Sequence, residues 1–178
     1  MAFVQAQAVP VTTDSSIVPD KVRDGIDLQI NGEHFRHTGD PQMPLLWYLR
    51  DVLQLTGTKY ADAKGLSGAD LVLVDGKATS AITVPMGKLA GRKVTTVEGL
   101  AGAEGRLHPL QQAFIDEDAI GCGYCTAGWL IAGVDLLQRH PHPTDADIDT
   151  LPNLCRCGCQ SRVRKAIQRA GGAKGAQA

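Results

Sequence analysis

Aromatic side chains are scarce in this chain. Three Phe, two Trp and three Tyr among 178 residues leave the core to Leu, Val, Ile and Ala and provide no set of rings on which nucleic-acid bases could stack. A surplus of one charge is missing too. With 18 Lys and Arg against 19 Asp and Glu, the formal net charge of −1 gives no basic field, so no nucleic-acid partner is expected. No apolar run approaches the roughly 20 residues a membrane helix needs, which predicts a chain that is not itself membrane-spanning. Residues 1–24, MAFVQAQAVPVTTDSSIVPDKVRD, lack the charged start and apolar block of a secretory signal and contain no twin-arginine pair. Their Thr, Ser, Asp and Pro content reads as a flexible N-terminal arm.

What is present suits one medium domain or two small ones sharing an interface. Hydrophobic residues make up 43% of the chain, enough for a core. In the first half, Ile26, Leu28 and Ile30 alternate with polar residues, and Asn31-Gly32 signals a hairpin turn into Glu33–His37. Pro44 opens a helical pattern in which Leu45, Leu46, Leu49, Val52 and Leu53 share a face. Leu71–Val74 and Thr79–Val84 flank a second hairpin signal, Asp75-Gly76, and Lys93–Val97 reads as a last strand. The second half changes to helical period over Pro109–Ala119, Thr126–Gln138, Thr144–Leu151 and Ser161–Ala170, with Thr144 and Asp147 forming a capping box and Ser161 an N-cap. Gly99, Gly102 and Gly105 place the boundary between the halves near residues 98–106.

Four of the five cysteines fall in two tight groups, Cys122-x₂-Cys125 and Cys155-x-Cys157, each in a turn just ahead of a helix. Such grouping fits metal ligation better than a secreted disulfide framework. Four converging thiolates suit a soft centre, either an iron–sulfur cluster or zinc. The single residue between Cys155 and Cys157 is tighter than an ordinary zinc knuckle, which puts iron–sulfur first and points to an electron carrier or part of a redox enzyme. Helix N-termini and the neighbouring Arg156 favour the negative charge of such a centre. Cys159 is a spare cysteine and is expected to be an inert small hydrophobe. His140 and His142 are expected in solvent, and His108 is expected to fix the boundary between the halves by hydrogen bonding.

The runs Leu107-His108-Pro109-Leu110-Gln111-Gln112-Ala113-Phe114, Cys122-Gly123-Tyr124-Cys125-Thr126 and Asn153-Leu154-Cys155-Arg156-Cys157 resemble the iron–sulfur subunit of molybdenum hydroxylases, a family that includes xanthine dehydrogenases, aldehyde oxidoreductases and aerobic carbon monoxide dehydrogenases. Asn31-Gly32, Pro44-Leu45-Leu46-Trp47, Thr56-Gly57-Thr58-Lys59 and Val74-Asp75-Gly76 extend the likeness over about residues 26–170. The resemblance implies an α+β chain. Residues 25–100 would be a ferredoxin-like (β-grasp) domain, 101–170 a four-helix [2Fe–2S]-binding domain, and 171–178 a disordered tail. It also implies one cluster on Cys122, Cys125, Cys155 and Cys157, with Gly121 and Cys157 near the molybdopterin of a partner subunit.

The sequence departs from the family at the other cluster. Family members hold a second [2Fe–2S] in the N-terminal domain on a C-x₄-C-x₂-C and a later cysteine. Here Asp62, Ser67, Asp70 and Ala81 occupy those positions. Two carboxylates, a hydroxyl and a methyl do not hold a thiophilic cluster, so that domain is expected to be folded but empty, with polar residues filling the loop rather than a hard-cation site. Gly121 also replaces the Gln usual before the first cysteine, and Ala127 the usual Pro.

The expected role is an electron-transfer subunit that relays electrons from a large molybdopterin-binding catalytic partner to a cytochrome, flavoprotein or other acceptor, with no substrate-transforming site of its own. The alternatives are a free-standing ferredoxin-like carrier, a non-redox structural paralogue, or a zinc module. Cytoplasm is the expected compartment, with periplasmic co-export beside a partner as the other possibility.

Overall fold

The computed structural model describes residues 25–102 and 105–174; the expected arm at 1–24 and the last four residues of the expected tail lie outside that range. Strand β1 (Ile26–Ile30) turns back as β2 (Glu33–His37), with Ile26 opposite His37 and Ile30 opposite Glu33. β3 (Leu71–Val74) pairs in the same way with β4 (Lys77–Ser80). Both turns are two residues long and left-handed throughout: φ is 53° and 86° at Asn31-Gly32, and 49° and 83° at Asp75-Gly76. That geometry matches the right-handed twist of the flanking strands. β5 (Lys93–Thr95) joins the hairpins in the order β2-β1-β5-β3-β4, parallel to β1 and antiparallel to β3.

Two sequence expectations shift here. The strand expected over Thr79–Val84 begins at Lys77 and ends at Ser80, because a two-residue turn lets pairing resume immediately. It ends there because the Ala81 N–H and carbonyl leave the ladder, donating to Asp70 and accepting from Leu46 at 3.0 Å each. The helix after Pro44 is α1 (Leu45–Trp47), which widens into a π turn over Tyr48–Val52, closed by the Leu53 N–H on the Tyr48 carbonyl at 3.0 Å. The wider turn leaves Leu53 half-buried against the core and Val52 turned outward, 56% exposed instead of sharing the buried face.

Alternation along β3 divides its side chains between two cores. Val72 faces a core with Leu28, Ile30, Leu45, Leu46, Leu49 and Met86. Leu71 and Leu73 face the other way, into a core shared with the helices. These are α2 (Pro109–Asp116), α3 (Thr126–Arg139), α4 (Asp145–Asp149) and α5 (Gln160–Lys174). Trp129, Leu130, Ile131, Val134, Leu136 and Leu137 of α3 are buried. Thr144 caps α4 through the expected box with Asp147, and His108 caps α2 through its ring Nδ1 and a reciprocal bond to Gln111.

Helix α5 starts one residue before the expected cap, Ser161. The Cys159 carbonyl instead accepts from the Arg162 and Val163 N–H groups at 3.0 and 2.9 Å. The helix also runs to Lys174, into the segment expected to be a disordered tail from Gly171. Gly171 is buried in a close approach to the Pro141 carbonyl that only a residue without Cβ permits. Ion pairs Arg169–Asp116, Arg169–Glu117 and Arg164–Asp149 tie α5 to α2 and α4. The fold is a mixed sheet followed by helices, α+β as expected. Among the described residues no helix is long and apolar enough to cross a membrane.

Candidate metal centre

Both cysteine turns pivot on a left-handed glycine, Gly123 at φ 83° and Gly158 at φ 75°. Each turn then feeds a helix. The Thr126 N–H donates to the Gly123 carbonyl at 3.2 Å, Cys125 is the N-cap of α3, and the Cys159 carbonyl opens α5. The thiols therefore stand in the turns that lead into two helices, a setting in which nearby backbone N–H groups can favour thiolate where burial does not outweigh them.

The structure places the four expected cysteines as two neighbouring pairs, Cys122 with Cys157 and Cys125 with Cys155. The members of each pair are close enough for each thiol to shift its partner's pKa. Cys122 and Cys157 are exposed; Cys125 and Cys155 are half-buried. One member of each pair leans toward thiolate. The Tyr124 N–H and then the Cys157 thiol draw the Cys122 pKa down. Burial, then the bond to Cys155, pushes Cys125 up to about 12. Cys155 is held below the ordinary thiol value against its burial by the Cys159 N–H, the Cys125 thiol and the Cys157 N–H. Cys157 is raised: although the Cys122 N–H pulls it down, the Cys122 thiol, burial and neighbouring sulfur charge outweigh that bond. Among the described residues no three Cys, His, Asp or Glu side chains gather around one point; the thiols stand as two neighbouring pairs. As a donor set, four thiols in two pairs fit a soft centre with two metal ions. Loading it means displacing thiol protons, that of Cys125 above all.

The N-terminal loop packs directly against both turns. Asn153, 5% exposed, donates from Nδ2 to the Gly68 carbonyl at 2.8 Å, and the Leu154 N–H donates to the Ser67 carbonyl at 3.1 Å. A Cβ on Gly128, in the first turn of α3, would collide with the Gly68 carbonyl. The Tyr124 hydroxyl donates to the Tyr60 carbonyl, and the Tyr60 ring packs on Trp47 with centroids 5.4 Å apart.

Within that loop, the Asp62 carboxylate accepts from the N–H groups of Lys64, Leu66 and Ser67 at 2.9, 3.0 and 2.9 Å. The Leu66 N–H, the Ser67 hydroxyl and the Ser67 N–H hold its carboxyl far below the ordinary range. Asp70 is 1% exposed, and one of its oxygens accepts from the Ser80 hydroxyl at 2.5 Å and the Ile82 N–H at 3.0 Å. Ala81 is fully buried. The two carboxylates thus serve as internal acceptors for loop amides. This role was not evident from the sequence, where only the polar character of the positions could be read.

Asp62→Asn removes the charge and turns one acceptor of the cradle into a donor. Amide exchange at Lys64, Leu66 and Ser67 is expected to speed up severalfold, as hydrogen-exchange mass spectrometry would register. Because folding depresses the Asp62 pKa, its contribution is complete above the unfolded carboxylate value of about 3.9 and is lost as pH falls through the folded one. In the parent chain, protection of this loop should therefore be flat down to about pH 4 and fade only in stronger acid.

A mixed sheet leading into helices that carry two thiol pairs defines a chain with the donor set of a soft-metal protein. Residues 96–168 match the family described as [2Fe-2S] binding domain. The chain is 44% identical over 147 residues to a nicotinate dehydrogenase subunit from Pseudomonas putida, covering 82% of this chain and 93% of that protein. It is 41% identical over 148 residues to the alpha subunit of isoquinoline 1-oxidoreductase from Brevundimonas diminuta, covering 82% and 96%. Among solved structures it superposes on quinoline 2-oxidoreductase from Pseudomonas putida 86 with a TM-score of 0.77 at 33% identity, over 84% of this chain and 94% of that one. The chain belongs to the iron–sulfur subunits of molybdenum hydroxylases, and electron transfer is its role.

Proposed function

We propose that Cys122, Cys125, Cys155 and Cys157 hold one [2Fe–2S] cluster, and that a ferredoxin-like N-terminal domain, residues 25–100, carries none. When bound, the cluster accepts and releases one electron at a time. The chain's own residues hold it at two helix ends, aim backbone N–H groups at its ligand sulfurs and keep Cys125 and Cys155 half-covered. Electrons come from a molybdopterin centre on a large catalytic partner, whose pterin lies near Gly121 and Cys157. They leave to a separate acceptor such as a cytochrome or flavoprotein, and this chain transforms no substrate itself. The two neighbouring thiol pairs, each in a turn ahead of a helix, are the observation that supports this reading.

The empty N-terminal domain is supported by the Asp62 cradle. Three loop amides already have an internal anion, and Ala81 is buried among aliphatic side chains where a fourth ligand would stand. The domain then works as scaffold, because its residues 67–69 brace both cysteine turns. A role within a complex is favoured over a free-standing carrier by the surface beside the thiols. Leu66 and Leu154 are 68% and 67% exposed, and the Leu154 N–H bonds the carbonyl of Ser67, the chain neighbour of Leu66. Exposed apolar side chains at such a site mark an interaction face.

Metal analysis and low-temperature EPR of the purified complex test the proposal. The expected result is about two irons and two sulfides for each copy of this chain, one reduced [2Fe–2S] signal from it, and co-purification with a molybdenum-bearing chain. Two distinct signals from this chain would overturn the empty-domain assignment, and one zinc in place of iron the whole reading.

A further inference from the structure

Cys159 is 2% exposed and packs in the helical core like any small apolar residue. Its polar surroundings are unusual for such a residue. Its backbone N–H donates to the Cys155 sulfur at 3.4 Å, and its own sulfur accepts from the Arg162 guanidinium at 3.4 Å. Arg162 is anchored in turn by Asp118, just beyond α2. Gly121 also lies against the Cys159 sulfur. A Cβ there would sit 3.0 Å from the Cys159 sulfur, 2.9 Å from Cys157 Cβ and 3.2 Å from the Cys157 sulfur. The missing side chain at 121 is what leaves room for the Cys159 sulfur against the ligand turn. A chain of contacts thus runs from Asp118 through Arg162 and Cys159 to the Cys155 sulfur, with Gly121 as its back wall.

We propose that Cys159 is a positioning residue that sets the reduction potential of the centre held by Cys155: wedged between Gly121 and Arg162, it keeps its backbone N–H on the Cys155 sulfur. A reduced iron–sulfur centre carries one more negative charge than the oxidised one. An N–H fixed on a ligand sulfur therefore stabilises the reduced form and raises the potential. Loosening the wedge frees the N–H and lowers the potential without removing a ligand. The inference rests on the ligand assignment proposed above.

The test is an EPR-monitored redox titration of the full-length chain in its purified complex, with iron content determined on each sample. Parent iron content and spectrum test the ligand assignment; potentials of the variants test the role of Cys159. In Cys159→Ala, which loses the grip of Arg162, the oxidised-to-reduced ratio at a fixed solution potential should rise about tenfold, equivalent to about 59 mV downward for a one-electron couple. Gly121→Ala removes no donor and no sulfur but presses on Cys157 as well as on Cys159, so its potential should fall below the parent's only where Cys159 is present to be displaced. Gly121→Ala/Cys159→Ala should be no lower than Cys159→Ala alone, because both changes act on one wedge. Cys159→Ser, whose hydroxyl can still accept from Arg162, should stay nearest the parent. Unchanged potentials and g-values in both single Ala variants at full iron content would overturn the proposal. So would loss of iron from Cys159→Ser with helical circular dichroism intact, since Cys159 would then be a ligand itself.

Discussion

Cys125→Ala abolishes the visible absorbance and the reduced EPR signal of this chain, and turnover with external electron acceptors falls to background. The expectation follows from its place in the donor set. Cys125 caps α3, pairs with Cys155 and stands on the half-buried side of the site. No spare thiol is free to replace it, because Cys159 is locked in the core under Arg162. The fold should survive, since Cys125 lies at the rim of the helical core and its carbonyl, which opens α3 through the Trp129 N–H at 3.1 Å, is unaffected. Iron analysis together with far-ultraviolet circular dichroism checks both halves of the statement. Normal iron and activity in that variant would show that the ligand set is misplaced.

The second large effect is on stability. Gly128→Ala puts a methyl group 3.0 Å from the Ala69 Cα and into the Gly68 carbonyl. Both obstacles are backbone, which cannot rotate away. Overpacking of this kind costs about 2–3 kcal/mol, lowering Tm by roughly 4–12 °C in a chain of this size. The damage is directed at the brace between the N-terminal loop and both cysteine turns, so iron retention against a chelator should fall along with Tm. Gly172→Ala on α5 is the control. A Cβ there meets nothing within 4 Å, and replacing an exposed helical glycine should stabilise by up to about 1 kcal/mol. If Gly128→Ala melts and retains iron like the parent, the loop does not brace the site.

The parts of the fold that were legible in the sequence are those decided by neighbouring residues. Asn31-Gly32 and Asp75-Gly76 specify their own left-handed turns, and the Thr144 and His108 caps close within three residues. The pairs Cys122/Cys125 and Cys155/Cys157 announced a thiol site, since each is held in one short turn ahead of a helix. What could not be read came from a change of helix width or from distant contacts. Val52 turns outward because a π turn, not an α turn, closes on Tyr48. β4 stops at Ser80 because Asp70 and Leu46 claim the two hydrogen-bonding groups of Ala81. α5 continues past Gly171 because the Pro141 carbonyl packs on it.

Asp62 and Cys159 show the same divide at the site. The residue types made a thiophilic centre the expectation at four cysteines, and made none the expectation at the two carboxylates, hydroxyl and methyl of 62, 67, 70 and 81, because softness and charge belong to the side chain whatever surrounds it. Tertiary structure alone decided that the Asp62 carboxylate gathers three amides, that Gly68 lies between Asn153 and Gly128, and that Cys159 is clasped by Arg162 against Gly121. Each of these depends on backbone donors, carbonyls or empty space supplied from elsewhere along the chain, and only the folded arrangement determines where those come to lie.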